Sequence, residues 1–252
     1  MSTAPTLRVE RDLLRSRGAR WLASVDEVGR GSLAGPVTVG VVLVDLSTSS
    51  APSGVRDSKL LSPAARERIA PRLRRWAPAW AIGHSSAEEI DAIGILRALR
   101  LAGERAFADL PHRPDHVLLD GSYDWVSRPA PALVDDDGAV VDPDLWIEPP
   151  PVTLRVKADL SCSSVAAASV LAKTTRDALM VELARVHPAY GWDINKGYAS
   201  PDHLEALRSV GPCEQHRRSW AIPGGQGRPV GQDGDVLLLE DDLSLVPGAG
   251  GR

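Results

Sequence analysis

The order of strand-like and helix-like segments predicts an α/β fold for this chain of 252 residues. Five short apolar runs alternate with segments that have the spacing of amphipathic helices, which is typical of layered elements around one core. Hydrophobic residues make up 43% and charged residues 25% of the chain, as in ordinary globular proteins. We therefore expect a single α/β domain of about 200 residues with loose ends.

The predicted strands are short, and the second is the clearest of them. Val37–Val44 is rich in β-branched residues and almost continuously apolar, which indicates a strand buried on both faces. The other four are shorter apolar runs. In chain order, the five predicted strands are 21–26, 37–44, 80–85, 116–120 and 152–156.

Capping residues mark the starts of two helices. Ser62 followed by Pro63 is the pattern of an N-cap and a first helical residue, and Ser200 is the expected cap of a second helix. The longest predicted helix is rich in alanine. In chain order, the predicted helices are a short amphipathic one within 1–20, then 63–75, 87–92, 95–108, 163–186 and 201–210.

Composition excludes several classes of protein. The sequence has no run of about 18 apolar residues, so we expect no membrane span. Cys162 and Cys213 form no disulfide framework, and the Arg-rich N-terminus lacks the apolar run of a secretory signal, which favours a cytoplasmic protein. The net charge of −4 gives no overall basic field, so a nucleic-acid partner would need a local basic patch.

Acidic residues follow three of the apolar runs, and these are the strongest functional signal. They are Asp26 with Glu27, then Asp120, then Asp159. In open α/β sheets the carboxyl ends of strands converge on the ligand site, so these acids can meet. Clustered carboxylates are tolerated when Mg²⁺ or Mn²⁺ neutralises them, and a pair of such ions about 3.5–4 Å apart can hydrolyse a phosphodiester.

A structural role for these acids remains open at this point. An Asp at a strand end is frequently a turn former or a helix cap. Neighbouring strand residues also point to opposite faces, so Asp26 and Glu27 can share an ion only if the strand ends there. Gly29 and Gly31 make that ending plausible, although a Gly-Arg-Gly turn is by itself a common tight loop.

Seven short blocks resemble, in the same order, the signatures of type 2 ribonucleases H, the ribonuclease HII family. The resemblance covers about residues 20–222 and includes all four lysines of the chain. The blocks are DEVGRG at 26–31 with LAGPV at 33–37, DSKLLS at 57–62, LDG at 119–121, KAD at 157–159, AASVLAK at 167–173 with RD at 176–177, KGY at 196–198 and HRRS at 216–219.

This resemblance implies a ribonuclease H-like fold, in which helices flank a central five-stranded mixed sheet. Residues 21–222 would form the catalytic domain, with a small C-terminal helical part at about 187–222. A polar N-terminal segment, 1–20, would precede it. We expect the Gly-, Pro- and acid-rich tail 223–252 to be disordered.

The resemblance also implies the activity. It is that of an endonuclease that cuts the RNA strand of RNA–DNA hybrids and single ribonucleotides in duplex DNA, on the 5′ side of the ribonucleotide. The products carry 3′-hydroxyl and 5′-phosphate ends. The enzyme would be a monomer that uses Mn²⁺ or Mg²⁺, held by four catalytic acids: Asp26, Glu27, Asp120 and Asp159.

Nine further residues are expected to contact the substrate. The backbone of a glycine turn would read the ribose 2′-hydroxyl, and a tyrosine would check the junction between ribonucleotide and deoxyribonucleotide; these are Gly29, Arg30, Gly31 and Tyr198. Five more side chains are the expected phosphate contacts: Lys59, Ser169, Lys173, Arg217 and Arg218. For the two arginines a solvated surface role stays open, and His216 is expected to be structural.

Two other functions remain as alternatives. The first is a catalytically inactive nucleic-acid-binding module of the same fold, against which the complete set of four acids argues. The second is a metal-independent hydrolase in which Asp26 and Glu27 act as an acid–base pair, as in glycosidases. The sequence also departs from the family at Ala166 and Trp220, and its excursion at 122–151, with a predicted hairpin turn at Asp137-Gly138, is long.

Overall fold

The computed structural model describes residues 4–127 and 149–224. The predicted hairpin turn at Asp137-Gly138 lies outside the described residues, and so does the tail predicted to be disordered, apart from its first two residues.

Five strands form one mixed sheet, which confirms the predicted architecture. Their order across the sheet is β3-β2-β1-β4-β5. The first three are antiparallel neighbours, whereas β4 runs parallel to β1, and β5 runs parallel to β4. The strand bounds are β1 Leu22–Val28, β2 Val37–Val44, β3 Ala79–Ser85, β4 His116–Asp120 and β5 Val152–Arg155.

Six helices occupy segments that the capping and periodicity patterns predict, and one short helix, Trp192–Asn195, was not predicted. The Ser62 hydroxyl accepts from the Ala65 N–H at 3.3 Å, and the Ser200 hydroxyl accepts from the His203 N–H at 3.2 Å, as expected for N-caps. The helix bounds are α1 Arg8–Arg17, α2 Pro63–Trp76, α3 Ala87–Ile93, α4 Ile95–Ala108, α5 Ser163–Val186, α6 Trp192–Asn195 and α7 Pro201–Val210.

The alternation of side chains along the strands builds two apolar layers. On one face of the sheet, Leu22 of β1 packs with buried residues of α1, α2 and α5. On the other face, Ala23 and Val25 pack with α3 and α4. Helix α5 lies so close to β2 that a Cβ at Gly40 would come within 2.5 Å of the Ala168 carbonyl oxygen, which explains the small residues at this contact.

The N-terminal segment is part of the core, which corrects the expectation of a loose end there. Leu7 and Leu14 are buried in the same apolar cluster as α5. Glu10 is fully buried, and its carboxylate accepts from both the backbone N–H and the hydroxyl of Ser164, at 3.0 and 2.6 Å. Helix α1 therefore covers the first turn of α5.

A third apolar cluster holds the C-terminal helical part. Met180 of α5 packs there with Leu33 and with buried aromatic and aliphatic side chains from the last described residues. These are Tyr190, Trp192, Leu207, Trp220 and Ile222. Within the described ranges, none of the helices is long and apolar enough to cross a membrane.

An ion pair between α3 and α4 gives a testable pH dependence. Hydrogen bonds from Arg105, at 2.5 and 2.9 Å, lower the pKa of Glu89 to about 2, although burial opposes this shift. Since the folded pKa lies below the ordinary 4.5, this stabilisation is present above pH 4.5 and is lost as the pH falls towards 2.

We expect Glu89→Gln to lower the free energy of unfolding at pH 7 by about 1–2 kcal/mol, after allowance for the exposure of this side chain. Glutamine can keep the capping contact to Ser86, so mainly the charge is lost. Urea denaturation should show the difference from wild type shrinking between pH 4.5 and 2. The exposed neighbour variant Glu88→Gln is the control, and an equal effect there would refute the assignment.

Candidate active site

The sheet topology brings the four predicted acids to one edge. Because β1 and β4 are adjacent and parallel, Asp26 and Glu27 near the end of β1 lie beside Asp120, the last residue of β4. Asp159 lies in a short 3-10 turn shortly after β5. The structure thus brings together side chains that are up to 133 positions apart, and each of them feels the charge of at least one other.

The predicted end of the first strand is wrong by two residues. Strand β1 continues to Val28, and Asp26 and Glu27 are paired with Gly40 and Val39 of β2. Asp26 shares the α5 face of the sheet with Ser24, whose hydroxyl is 2.6 Å from that of Ser164. Glu27 alternates to the other face, yet its charge still raises the pKa of Asp26 because both side chains lie at the rim of the sheet.

All four carboxyl groups have raised pKa values. Burial and then the charge of Glu27 raise the pKa of Asp26 well above its ordinary value. Burial raises the pKa of Glu27, although the Arg30 guanidinium opposes the shift. Burial also raises the pKa of Asp120, even though its Oδ1 accepts the Ala158 N–H at 2.7 Å. Burial thus disfavours the charged form of each of these acids, and the charge of Glu27 adds to this effect at Asp26.

The pKa of Asp159 is raised both by burial and by two identified neighbouring acids. Burial and then the charges of Asp120 and Asp57 raise its pKa to about 7. Asp57 is a buried fifth acid at this edge, and the sequence analysis did not single it out because it lies in a loop rather than at a strand end. Its carboxylate accepts from the Lys59 N–H at 2.9 Å, which holds the turn that carries Lys59.

The donor chemistry of this edge fits divalent cations. The ligands are carboxylate oxygens, which suit Mg²⁺ or Mn²⁺, and a bound cation would favour their charged forms against the burial and repulsion that raise their pKa values. Among the described residues, however, the only group of three His, Cys, Asp or Glu ligand atoms within 4.8 Å of one another is His187, Cys213 and Glu214. At least one of the four carboxylates would therefore have to turn inward to share an ion with two others.

That second group lies in the C-terminal part and is satisfied by its own contacts. The Nε2 atom of His187 is 3.1 Å from a carboxylate oxygen of Glu214. Burial raises the pKa of the Cys213 thiol, which keeps it protonated at neutral pH. The Cys213 sulfur lies 3.4 Å from Nδ1 of His216. We interpret this group as a hydrogen-bonded cluster.

The Gly-Arg-Gly turn is held by buried cations. Gly29 has a left-handed φ of +84°, and a Cβ there would overlap the Arg176 guanidinium, so this position requires glycine. The guanidinium of Arg217 donates to the carbonyl oxygens of Gly29 and Arg30 at 2.6 and 2.7 Å. In a trans peptide the N–H points opposite the carbonyl, so the amides of Arg30 and Gly31 point away from Arg217.

The predicted phosphate contact at Arg217 is wrong. This side chain is fully buried beneath the turn, and its guanidinium also donates to the carbonyl of Gly35. It stacks over the Trp220 ring at 4.7 Å from the ring centroid. Because this guanidinium is buried and donates its hydrogens to backbone carbonyls, it cannot reach a phosphate. Arg218 is exposed, so its phosphate contact stays a prediction.

Arg176 is a second residue, after Asp57, that the sequence analysis did not single out. It lies in α5, is fully buried, and donates to the carbonyls of Ala34, Pro36 and Lys196 at 2.8–3.0 Å. It thus ties the glycine turn to the segment that carries Tyr198. The only signal in the sequence was its place in the RD block, because buried and exposed arginines look alike in a sequence.

The predicted phosphate contact at Ser169 is also wrong. Its side chain is buried under the carboxylates, and its hydroxyl donates to that of Ser58 at 2.9 Å. The nearby Ser169 hydroxyl also lowers the pKa of Asp26, although burial raises it more. Ser169 therefore lies beneath the acids, where its hydroxyl bonds Ser58 and cannot reach a phosphate.

The remaining predicted cations lie near the acids or near Tyr198. Lys59 is exposed as a whole residue. Partial burial of its amino group lowers its pKa, but the charges of Asp26 and neighbouring acids raise it more, so the net shift is upward. Lys173 pairs with Asp177 at 2.7 Å and lies 5.4 Å from the centroid of the Tyr198 ring. These positions are compatible with phosphate contacts, which stay predictions.

Comparison with known proteins identifies the family. The family model described as Ribonuclease HII matches residues 23–222. The chain is 46% identical over 217 residues to the Ribonuclease HII of Streptomyces avermitilis, which covers 86% of this chain and 84% of that protein. It is 45% identical over 217 residues to the Ribonuclease HII of Paracoccus denitrificans, which covers 86% and 92%.

A solved structure agrees with the sequence comparison. The crystal structure of the ribonuclease H2 from Pyrococcus horikoshii OT3 matches with a TM-score of 0.58 and 25% identity, over 81% of this chain and 95% of that chain. The fold and the acidic site thus define a metal-dependent ribonuclease of the ribonuclease H class. In particular, the chain belongs to the ribonuclease HII family.

Proposed function

We propose that this enzyme is an endonuclease that cuts the RNA strand of RNA–DNA hybrids and single ribonucleotides embedded in duplex DNA. Cleavage falls 5′ to the ribonucleotide and leaves 3′-hydroxyl and 5′-phosphate ends. The observation that carries this proposal is the convergence of Asp26, Glu27, Asp120 and Asp159 at the sheet edge that continues into the Gly-Arg-Gly turn.

The four acids would hold the divalent ions, Mn²⁺ or Mg²⁺. When bound, such ions lower the pKa of a water nucleophile and stabilise the leaving 3′ oxygen. The protein's contribution is to fix the ligands: the Ala158 N–H orients Asp120, and β1 carries Asp26 to the same edge of the sheet. Lys59 stands beside the acids as a compact charge for a phosphate of the cleaved strand.

The glycine turn would distinguish ribose from deoxyribose. Arg217 holds the carbonyls of Gly29 and Arg30, so the amides of Arg30 and Gly31 face the opposite side and can donate to a 2′-hydroxyl. Because the carbonyl ends are fixed in advance by a buried guanidinium, the turn does not have to rearrange when it meets the sugar.

Tyr198 would read the junction that follows the ribonucleotide. Its ring lies against two cations, with Lys173 at 5.4 Å and Arg176 at 5.5 Å from the ring centroid, and the residue is partly exposed. A flat ring in this position can pack against the sugar of the next nucleotide, and its hydroxyl can form a hydrogen bond there.

We expect Tyr198→Ala to lower kcat for a duplex with one ribonucleotide by about 10-fold or more, because the sugar is then no longer held in place and small misplacements at the reacting centre are costly in rate. Binding of the same duplex should weaken less, because the phosphate contacts remain. Single-turnover cleavage and a filter-binding titration measure the two effects. Tyr198→Phe, which keeps the ring, is the matched control, and equal losses in rate and affinity for Tyr198→Ala would contradict the junction role.

A cleavage assay distinguishes this proposal from the two alternatives. The purified protein is incubated with a labelled duplex that contains one ribonucleotide, with Mn²⁺, with Mg²⁺ and with EDTA. The proposal predicts one cut 5′ to the ribonucleotide that requires a divalent ion. Binding without cleavage would indicate an inactive module, and cleavage that survives EDTA would indicate the metal-independent hydrolase.

A further inference from the structure

A buried chain of hydrogen bonds links two histidines to the main chain of Tyr198. His203 lies in α7 and His216 follows that helix, and both are almost completely buried. Their Nε2 atoms are 3.1 Å apart. The far nitrogen of His203, Nδ1, is 2.9 Å from the Tyr198 carbonyl oxygen. The far nitrogen of His216, Nδ1, is 3.1 Å from the Cys213 backbone nitrogen.

The chemistry of the two ends fixes where the protons lie. The Tyr198 carbonyl can only accept, so Nδ1 of His203 carries a hydrogen and donates it. The Cys213 N–H can only donate, so Nδ1 of His216 accepts and Nε2 of His216 carries the hydrogen. That hydrogen is donated to Nε2 of a neutral His203, and the Trp192 indole N–H, at 3.1 Å, shares this single acceptor.

Each ring must be neutral for this arrangement. Burial, followed by the nearby His203, lowers the pKa of His216 to about 4. Burial also lowers the pKa of His203. Both rings are therefore uncharged at neutral pH, and every donor in the chain meets an acceptor.

The hydrogen-bond chain ends at the segment Gly197-Tyr198, whose carbonyl groups also accept backbone hydrogen bonds. Gly197 has a φ of +84°, and its carbonyl accepts from the backbone N–H groups of Leu33 and Ala34 at 2.8 and 3.2 Å. The next carbonyl, that of Tyr198, accepts from the Ser200 N–H at 2.8 Å as well as from His203. Within residues 4–127 and 149–224, His203 thus supplies the side-chain hydrogen bond to the peptide that leaves Tyr198.

We propose that His203 is a positioning residue, which fixes the main chain of Tyr198 and thereby the angle at which its ring meets the substrate. His216 and Trp192 orient the His203 ring by selecting its Nδ1–H tautomer. His203 itself touches no substrate. This inference rests on the proposed role of Tyr198 at the ribonucleotide junction.

Two substitutions of His203 separate its two nitrogens. In Asn the amide nitrogen can take the place of Nδ1, so His203→Asn can keep the bond to the Tyr198 carbonyl. In Gln the amide group reaches the place of Nε2, so His203→Gln keeps the side towards Trp192 and His216 and loses the bond to Tyr198. Both variants disturb the same buried pocket, so each serves as the control for the other.

We expect His203→Gln to lower kcat on the single-ribonucleotide duplex by about 10-fold with little change in KM, because small misplacements of a positioning group are costly in rate. His203→Asn should remain within about 3-fold of wild type. Equal losses in the two variants would overturn the proposal, since a purely structural role does not distinguish the nitrogens.

A double-mutant cycle with Tyr198→Ala provides a second readout. If His203 acts through Tyr198, adding His203→Gln to Tyr198→Ala should change kcat by less than about 2-fold. The same 10-fold loss in both backgrounds would contradict the proposal. If the wild-type protein cleaved none of the substrates, the proposed function itself would be wrong. Failure of the proposed function can therefore be told apart from failure of the positioning role of His203.

The unaltered protein gives a test that does not depend on how the variants fold. Long-range ¹H–¹⁵N spectra report the tautomer of each histidine. The proposal predicts the Nδ1–H form for His203 and the Nε2–H form for His216 at pH 7. An Nε2–H or doubly protonated His203 would overturn it, whatever the activity of the enzyme.

Discussion

Replacing Asp120 with Asn is expected to abolish cleavage of a duplex that contains one ribonucleotide, with a loss of about 10³-fold or more in kcat, while hybrid binding survives. The amide oxygen of Asn can still accept the Ala158 N–H that Asp120 accepts at 2.7 Å, so the local fold is kept. What is lost is one negative charge at a site whose acids must together hold divalent ions.

Single-turnover cleavage in Mn²⁺ and an affinity measurement on an RNA–DNA hybrid check this expectation. Asp109→Asn is the matched control, because it makes the same chemical change at an exposed residue at the end of α4. Retained turnover in Asp120→Asn would refute the assignment of the acids. Loss of both activity and binding in the control would point to a general charge effect.

Replacing Arg217 with Lys is expected to lower the free energy of unfolding by about 2–4 kcal/mol and to slow cleavage by at least about 10-fold. Lysine keeps the positive charge, but its compact ammonium cannot reach the carbonyls of Gly29, Arg30 and Gly35 together. The turn that would read the 2′-hydroxyl then loses its support, and buried carbonyls lose their donors.

Arg218 supplies the matched control because it is the adjacent, exposed arginine. Arg218→Ala should change stability by less than about 0.5 kcal/mol. If Arg218 contacts phosphate, this variant should reduce the salt dependence of duplex binding by about one unit of slope. A stable Arg217→Lys enzyme with wild-type activity would contradict the buttressing role.

Local patterns of apolar residues and helix caps predicted the fold well. The five strands and the main helices follow from local patterns: the apolar run of Val37–Val44 and the capping serines at 62 and 200 are visible in the sequence itself. The N-terminal helix was predicted, but its packing into the core through Leu7 and Leu14 was not, because so few apolar residues in a polar segment do not indicate burial.

The site was predicted less completely, for physical reasons. The acids were visible because strand ends are local features, whereas Asp57 was missed because only the tertiary fold carries its loop to that edge. Arg217 and Arg218 are adjacent and chemically identical. One is buried and the other exposed only because the C-terminal segment packs against the glycine turn, which no local pattern shows.

The location of a bound divalent ion tests the central claim most directly. Anomalous diffraction from crystals grown with Mn²⁺ would place the ion without any assumption about activity. We predict ions coordinated by carboxylate oxygens of Asp26, Glu27, Asp120 and Asp159, with at least one side chain turned inward. Mn²⁺ bound only elsewhere, for example at His187, Cys213 and Glu214, would contradict the assignment of this edge as the active site.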